Sequence, residues 1–350
     1  MIDTGRRHFV QYLELAIRFA GPLGYAASVP LLYRLHPMAP LLPIVALPAV
    51  LLAAETMPRP PDAESRFNGM KRLAVWLTIA SQFALIGWGA VTAATADAFG
   101  IASLAISIGL GAGVFGMLAA HEMIHSRNRL ENAIGLLMLA AMTYRHFRIS
   151  HLFGHHRWAA TPRDPATARR GESAYAFLGR STVCQWTDAL RFERRRLRRT
   201  PWEFWRNRLF HDLAIYAILY GALYAAFGWR AVAFQALQSI VAISVLELFN
   251  YVAHYGLERT AERGPLSDRH SWNAGGGIGN WLLLNMGHHS DHHRAPARPY
   301  GRLAPIEPVP ALPGGYVGAI LVALVPPLWR RRMDPRVERW MDEPATQGQT

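Results

Sequence analysis

The chain has 350 residues, of which 51% are hydrophobic and only 17% are charged. Soluble globular domains carry about 25% charged residues, so this composition argues against a soluble protein and favours a membrane protein. The single cysteine, Cys184, excludes an internal disulfide framework and a cysteine-ligated metal site. No nucleic-acid-binding motif accompanies the net charge of +13.

Six apolar segments are long enough to cross a bilayer, because a transmembrane helix needs about 20 mostly apolar residues. In chain order they cover residues 10–33, 38–55, 73–94, 101–120, 210–228 and 231–249. The third and fourth segments, like the fifth and sixth, are joined by a very short connection and are predicted to form antiparallel hairpins. A seventh apolar stretch, 315–329, is shorter, and we expect it to pack on the polar region or lie in the membrane interface.

The arginines indicate an orientation, because loops on the cytoplasmic side carry an excess of lysine and arginine. They are dense between residues 121 and 209, with a run at 191–199, and also occur in the loop at 56–72 and near the N-terminus. We therefore expect both termini and both long polar regions to be cytoplasmic, and the membrane to be the bacterial inner membrane.

The predicted fold is an all-α integral membrane protein with about six transmembrane helices and a cytoplasmic, histidine-rich helical region. The chain then divides into five parts. They are transmembrane helices 1–4 (1–120), a cytoplasmic region (121–209), transmembrane helices 5–6 (210–249), a second cytoplasmic region (250–335) and a polar tail (336–350).

Nine of the 15 histidines are clustered in three short boxes and one further element. Box 1 contains His121 and His125; box 2 contains His151, His155 and His156; box 3 contains His289, His292 and His293; and His254 lies just after the sixth apolar segment. On a helix, residues four apart lie on one face, so the spacing predicts that His121 and His125, His151 and His155, and His289 and His293 each share a face.

Nine imidazoles are too many for one ion and suit two, and imidazole binds iron, zinc, copper and nickel. Each box stands where an apolar segment meets the arginine-rich side, so the boxes can converge at one depth. The isolated histidines His8, His36 and His211 are interpreted as structural. The sequence His121-Glu122-x-x-His125 also matches the zinc metalloprotease signature, but a protease with one zinc has no need of the later boxes.

The chain resembles the membrane di-iron alkane hydroxylases (alkane 1-monooxygenases), within the superfamily of fatty acid desaturases and xylene monooxygenase. The resemblance covers residues 110–335. The matching motifs are box 1, box 2, box 3 and two further stretches. These stretches are Ala-Thr-Pro-x-Asp-Pro-Ala at 160–166 and Asn-Tyr-x-x-His-Tyr-Gly at 250–256. The element at 250–256 is similar to the hydroxylases and not to the acyl desaturases. Carried over by position, the same nine histidines are the implied metal ligands and act in catalysis through the metals.

Other side chains are expected to orient these ligands through hydrogen bonds. They are Glu122, His146, Asn250, His270 and Asp291, and His288 is a further possibility. The chain also departs from the family at two positions where a carboxylate or another polar residue is usual, since it has Ser150 before box 2 and Ala253 before His254.

The resemblance implies a di-iron, O2-dependent monooxygenase that hydroxylates an apolar hydrocarbon, with the terminal methyl of medium-chain n-alkanes as the first choice. Electrons would come from a separate rubredoxin or ferredoxin with an NAD(P)H reductase, docked on the arginines at 191–199. Alternatives are hydroxylation of aromatic or terpene methyl groups, lipid desaturation at the same site, and a non-catalytic metal-binding or metal-transport role. Four aromatic residues of the third and fourth segments are candidates for the substrate pocket: Trp76, Phe83, Trp88 and Phe115.

Overall fold

The computed structural model describes residues 4–57, 68–259, 266–275 and 277–342, with side chains from residue 8 onward. Within these ranges the structure is helical, and the β-pairing found is an isolated bridge between Asn273 and Ala311. The predicted all-α fold is therefore confirmed. The described part of the structure does not include Arg59, Arg66, the side chains of Arg6 and Arg7, or the tail after residue 342.

Five described helices are long and apolar enough to cross a membrane. We name them α1 (Thr4–Leu35), α2 (Leu42–Thr56, preceded by a 3₁₀ turn at Ala39–Leu41), α3 (Asn68–Ala93), α4 (Ala98–Ile124) and α8 (Arg208–His254). The protein is thus an integral membrane protein. Its first four membrane helices match the first four predicted segments.

Helix α8 contains both of the remaining predicted segments, joined at Gly228. This glycine has φ +75° and interrupts the helical backbone. The two halves fold back on each other, because Thr143 Oγ1 contacts Tyr220 OH at 3.0 Å and Ser239 Oγ at 3.2 Å on opposite sides of the break. The predicted hairpin is therefore present, while the count of six membrane crossings remains a prediction.

Glycines bring α4 and the second half of α8 into close contact. A Cβ atom on Gly109 would lie 2.6 Å from the Gln238 carbonyl oxygen, and one on Gly113 would lie 2.6 Å from Val245 Cβ. Small residues four apart allow two membrane helices to pack backbone against backbone. This contact fixes the ends of α4 and α8, which carry His121 and His254.

Shorter helices surround the histidine-bearing ends of the membrane helices. They are α5 (Arg129–Ala141), α6 (residues 147–158), α7 (Ala174–Arg196), α9 (Gly279–Leu282), α10 (His289–Arg294), α11 (Gly315–Ala323) and α12 (Pro326–Asp342), with 3₁₀ turns at Pro201–Arg206, Asp268–His270 and Tyr300–Arg302. The seventh apolar stretch thus forms α11 and the start of α12, and neither is among the five helices of membrane length.

Polar side chains begin several of these helices. Before α4, α5, α7 and α8, the preceding side chain accepts a hydrogen bond from a backbone N–H in the first turn, as expected for N-cap residues. These residues are, in the same order, Asp97, Asn128, Ser173 and Asn207. The ends that carry histidines differ from the predicted boundaries. Helix α4 continues past residue 120 through His121, and α8 continues past residue 249 to His254. Box 1 therefore begins within a membrane helix, and His254 is the last residue of another.

Candidate metal centre

The nine predicted histidines converge into two clusters. One contains His121, His125, His151, His156 and His292, and the other contains His155, His254, His289 and His293. In each cluster, one ring nitrogen per residue lies within 4.8 Å of the corresponding nitrogens of all the others. The clusters adjoin, since the ring of His156 in the first cluster approaches that of His293 in the second with centroids 5.0 Å apart.

The spacing of the nitrogens fits ligands that share an ion. His121, His125 and His156 place Nε2 at 2.8, 3.0 and 3.0 Å from His151 Nε2, and His254, His289 and His293 place theirs 3.0–3.3 Å apart. Two nitrogens bound at right angles to one ion, at about 2.1 Å each, would lie about 3.0 Å apart.

Hydrogen bonding among the rings cannot account for this packing. A neutral imidazole has one N–H, so the mutual Nε2 contacts of three rings cannot all be hydrogen bonds. The buried Nε2 atoms of His155 and His292 also have no hydrogen-bond partner among the described residues. The residues present therefore fit a pair of bound metal ions.

Burial holds six of these histidines in the neutral form that binds metal. Burial lowers the pKa of His125 to about 4, with a further contribution from the nearby His155. Burial, reinforced by neighbouring histidines, lowers the pKa of His151, His156, His292 and His293 well below the usual range. The same two causes lower the pKa of His289.

Box 2 differs from the predicted geometry. Residues Ser150–His155 form a π-helical turn, in which hydrogen bonds join residues five apart. His151 and His156 therefore belong to one cluster and His155 to the other. The rings of His151 and His155 are stacked with centroids 5.3 Å apart, so these two histidines lie side by side as predicted but do not share a cluster. In box 1, His121 and His125 share the first cluster, and in box 3, His289 and His293 share the second. The remaining histidine of box 3, His292, belongs to the first cluster.

Asp164 is a site residue that the sequence interpretation missed. Its carboxylate lies 2.8 Å from His155 Nδ1, accepts a hydrogen bond from Thr167 Oγ1 at 2.7 Å, and is buried. Burial opposes ionisation of Asp164, but His155 and the hydrogen bonds outweigh it and lower the pKa of this carboxyl. A carboxylate behind a histidine fixes the ring tautomer and orientation. The motif at 160–166 was visible in the sequence, but its role was not.

Two of the predicted orienting residues lie next to ligands. The backbone carbonyl of His270 accepts a hydrogen bond from His254 Nδ1 at 3.3 Å, so His270 acts through its main chain. Glu122 lies between His121 and His125 in sequence, but its carboxylate binds Arg72 at 2.7 Å and the Tyr300 backbone N–H at 3.3 Å. Glu122 thus connects box 1 to α3 and to the loop after box 3.

The other four predicted orienting side chains have no hydrogen bond to a ligand ring among those described. Asp291 binds Arg298 at 2.5 Å, and His288 Nε2 contacts Asn280 Nδ2 at 3.1 Å. Both ring nitrogens of His146 are buried and find no hydrogen-bond partner in the described part of the chain. Asn250 donates to Glu247 at 3.4 Å and lines a cavity beside the clusters.

That cavity has a volume of about 30 Å³ and is apolar apart from Asn250 and three of the clustered histidines. His121, His151 and His289 form its metal side, and the remaining walls are Leu118, Phe147, Leu246, Phe249, Ala253, Met286 and Tyr316. Of the four aromatic residues predicted for a pocket, none lines this cavity. Phe115 lines a separate apolar cleft of about 280 Å³ between α1 and α2, while Trp76, Phe83 and Trp88 pack against the core.

A second, polar cavity of about 510 Å³ reaches the clusters from the other side. It is open, and His125 contributes to its wall together with Arg72, Arg127, Arg298 and Arg302. His125 and His156 are the two ligands of the first cluster that are partly exposed, whereas all four histidines of the second cluster are buried. Access from water is therefore through the first cluster.

Helices of membrane length and two convergent histidine clusters define the class: an integral membrane protein with a histidine-built metal site. The profile of the fatty acid desaturase family matches residues 98–321, a range that includes all nine histidines. The chain therefore belongs to the fatty acid desaturase family, and within it to the alkane 1-monooxygenase group.

Three relatives illustrate this placement. Alkane 1-monooxygenase 1 of Pseudomonas aeruginosa is 39% identical, over 67% of this chain and 63% of its own length. An alkane 1-monooxygenase of Pseudomonas putida is 35% identical, over 77% of this chain and 69% of its own. The xylene/toluene monooxygenase hydroxylase component of Pseudomonas putida is 30% identical, over 71% of this chain and 68% of its own length. The chain thus spans a little under two thirds of the length of the Pseudomonas aeruginosa enzyme.

Proposed function

We propose that this chain is a membrane-bound, non-haem di-iron monooxygenase that hydroxylates an apolar hydrocarbon. The preferred substrate is a medium-chain n-alkane, attacked at its terminal methyl group. The observation that carries the proposal is the contact of both histidine clusters with one apolar cavity. The chemistry of the relatives, as their names state it, agrees with this choice.

In this proposal the nine clustered histidines hold two iron ions, which supply O2 activation and the transfer of one oxygen atom to carbon when bound. The protein contributes position and a dry environment. Leu118, Phe249 and Met286 would contact the terminal methyl group of the carbon chain, since the cavity of about 30 Å³ has room for little more, and would exclude water from its metal side. One carboxylate, Asp164, stands behind a histidine, and among the described residues no carboxylate belongs to either cluster.

We further propose that the site faces the cytoplasm and that the membrane is the bacterial inner membrane. Arginine-rich segments lie on the same side as the histidines, since Arg127 and Arg302 share a cavity with His125. The loops at the opposite ends of the membrane helices carry few charges. This distribution agrees with the positive-inside rule.

A separate, acidic electron carrier, such as a rubredoxin or ferredoxin served by an NAD(P)H reductase, is the proposed partner. Two basic surfaces could receive it. One is the cavity at His125, where Arg127 and Arg302 have no partner among the described residues. The other lies on α7, where Arg191 and Arg195 line a cavity of about 300 Å³. Direct contact with a partly exposed ligand favours the first surface.

The central experiment is product analysis in whole cells. Cells that express the chain with a rubredoxin and its reductase are fed medium-chain alkanes, and alcohols are measured by gas chromatography. We expect primary alcohol from the unchanged chain and from the control His211→Ala, which alters an exposed histidine outside the clusters. We expect no alcohol from His121→Ala, His151→Ala or His292→Ala. An unchanged alcohol yield in these three variants would contradict the proposed centre.

A second candidate substrate class is a methyl group on an aromatic ring. Its support is the aromatic wall that Phe147, Phe249 and Tyr316 give the cavity, together with the named activity of the xylene/toluene relative. Feeding toluene and xylenes to the same cells distinguishes the two. Benzylic alcohol without any alkanol would replace the alkane proposal.

A further inference from the structure

A buried carboxylate that forms no ion pair with any described residue lies close to the histidine clusters. Glu247, on the second half of α8, has no exposed surface. Its Oε1 accepts hydrogen bonds from Tyr144 OH and Gln185 Nε2, both at 2.9 Å, and its Oε2 accepts one from Ser181 Oγ at 2.6 Å. Asn250 Nδ2 is a fourth, more distant donor at 3.4 Å.

The residues that donate to this carboxylate lead toward both histidine clusters. Asn250 is one turn further along α8 and lines the cavity beside His121 and His289; His254, one more turn on, is a ligand of the second cluster. On the other side, Gln185 Oε1 accepts a hydrogen bond from Ser150 Oγ at 3.2 Å. Ser150 immediately precedes His151 of the first cluster.

The electrostatics of the centre explain why a charge is useful there. Neutral imidazoles bring no negative charge to balance two divalent ions, and the ions are the largest local charges in such a site. An ionised carboxylate only accepts hydrogen bonds, and four donors converge on Glu247. His254 lies seven residues further along the helix, about 10 Å along its axis, where charges in a buried site still interact.

We propose that Glu247 is a positioning residue that serves as a buried counter-charge for the metal centre and holds Asn250 and the Gln185–Ser150 pair in place. The inference rests on the proposed function, since it requires that the clusters bind metal ions. It assigns a role to a carboxylate that touches neither a ligand nor the cavity. It also places a negative charge on the hydrogen-bond chain that begins at Ser150.

The geometry allows the charge to be removed with little change of shape. Tyr144, Gln185 and Asn250 all donate to Oε1, and Ser181 alone donates to Oε2. In Glu247→Gln the amide oxygen can keep the first three donors. The amide nitrogen then faces the Ser181 hydroxyl, which can rotate to accept. The matched control is Ser181→Ala, which removes a hydrogen bond from the same carboxylate but leaves its charge.

The test measures iron release. The full-length protein in detergent is freed of metal and loaded anaerobically with Fe(II). Iron loss to an excess of a ferrous chelator is then followed by absorbance. We expect two irons per unchanged chain and release about ten-fold faster from Glu247→Gln, at the lower end of the effects known for groups behind metal ligands. Ser181→Ala should release iron at less than about three-fold the original rate. The thermal melting temperatures of the metal-free proteins show whether the fold is intact.

Equal release rates for the unchanged chain and Glu247→Gln would overturn the proposal, as would equal acceleration in Glu247→Gln and Ser181→Ala. If Glu247→Gln does not fold, Glu247→Asp, which keeps the charge and shortens the side chain, is compared with Ser181→Ala. Iron release from Glu247→Asp at about ten-fold the original rate would then overturn it, and retention would support it. Absence of iron from the unchanged chain is a different result, since it would refute the di-iron proposal itself.

Discussion

At the scale of single residues, two of the clustered histidines are held by groups that contact their Nδ1 atoms. Asp164 fixes His155, and the carbonyl of His270 fixes His254. Both belong to the second cluster, which is fully buried. We infer that this cluster depends on its surroundings more strongly than the partly exposed first cluster does.

Asp164→Asn is expected to weaken metal binding in the second cluster by about 10–100-fold. The amide would present its nitrogen or its neutral oxygen to His155 Nδ1, so the ring would lose the charged acceptor that fixes its tautomer. Metal per chain, measured by mass spectrometry after dialysis against a chelator, should fall from two toward one.

The control for this prediction is Asp188→Asn, which alters a buried carboxylate paired with an exposed arginine, Arg191, on α7. It should retain as much metal as the unchanged chain. If both variants retain two ions per chain, Asp164 has no role in holding His155.

At the scale of helices, two features place the histidines. The π-helical turn at Ser150–His155 distributes box 2 between the clusters. The close contact of α4 with α8 brings His121 and His254 to the same end of the bundle. Membrane helices gain little from hydrophobic burial against each other, so close packing matters more for their association.

Gly109→Ala should therefore lower stability by about 1–3 kcal/mol, because the added methyl group must push α4 away from the Gln238 carbonyl and Val241. The measurement is the thermal melting temperature in detergent. Gly24→Ala is the matched control, since a Cβ on this α1 glycine would meet no atom within 4 Å.

The control variant should be neutral or slightly stabilised, because alanine favours a helix over glycine. A Gly109→Ala melting temperature equal to that of Gly24→Ala would mean that α4 and α8 can separate without cost.

At the scale of the whole molecule, the end of the described chain supports the metal centre. Trp329, Met333 and Val337 of α12 are buried, and the Trp329 ring lies 5.7 Å from Tyr251 and 5.3 Å from Tyr255. Both tyrosines flank His254 in sequence. Tyr255 OH also donates to Asp334 at 2.7 Å and accepts from the Gly171 N–H at 2.9 Å. Helix α12 thus joins α8 to the loop after box 2.

Trp329→Ala is expected to destabilise the protein by about 3–5 kcal/mol, as a large cavity would form, and to reduce metal retention through His254. Leu328→Ala, at an exposed position of the same helix, is the control. Melting temperature and metal content should fall together in Trp329→Ala alone. Similar values for the two variants would show that α12 does not support the site.

The sequence by itself determined the class of fold, the approximate membrane segments, the nine histidines and the number of metal ions they suit. Each of these depends on composition or on spacings of a few residues, because the length of an apolar segment and the number of histidines can be counted directly along the chain. The hairpin at Gly228 was predictable for the same reason, since a glycine between two apolar segments marks a turn.

Only the tertiary structure decided which histidines share a cluster, which carboxylate supports which ring, and where the apolar cavity lies. The division of box 2 depends on a π-helical turn, which differs from an α-helix by one residue in its hydrogen bonds and leaves no clear mark in the sequence. Asp164, Glu247 and the cavity walls depend on contacts between residues far apart in the chain, and these exist only after α4, α7, α8 and α12 have packed together.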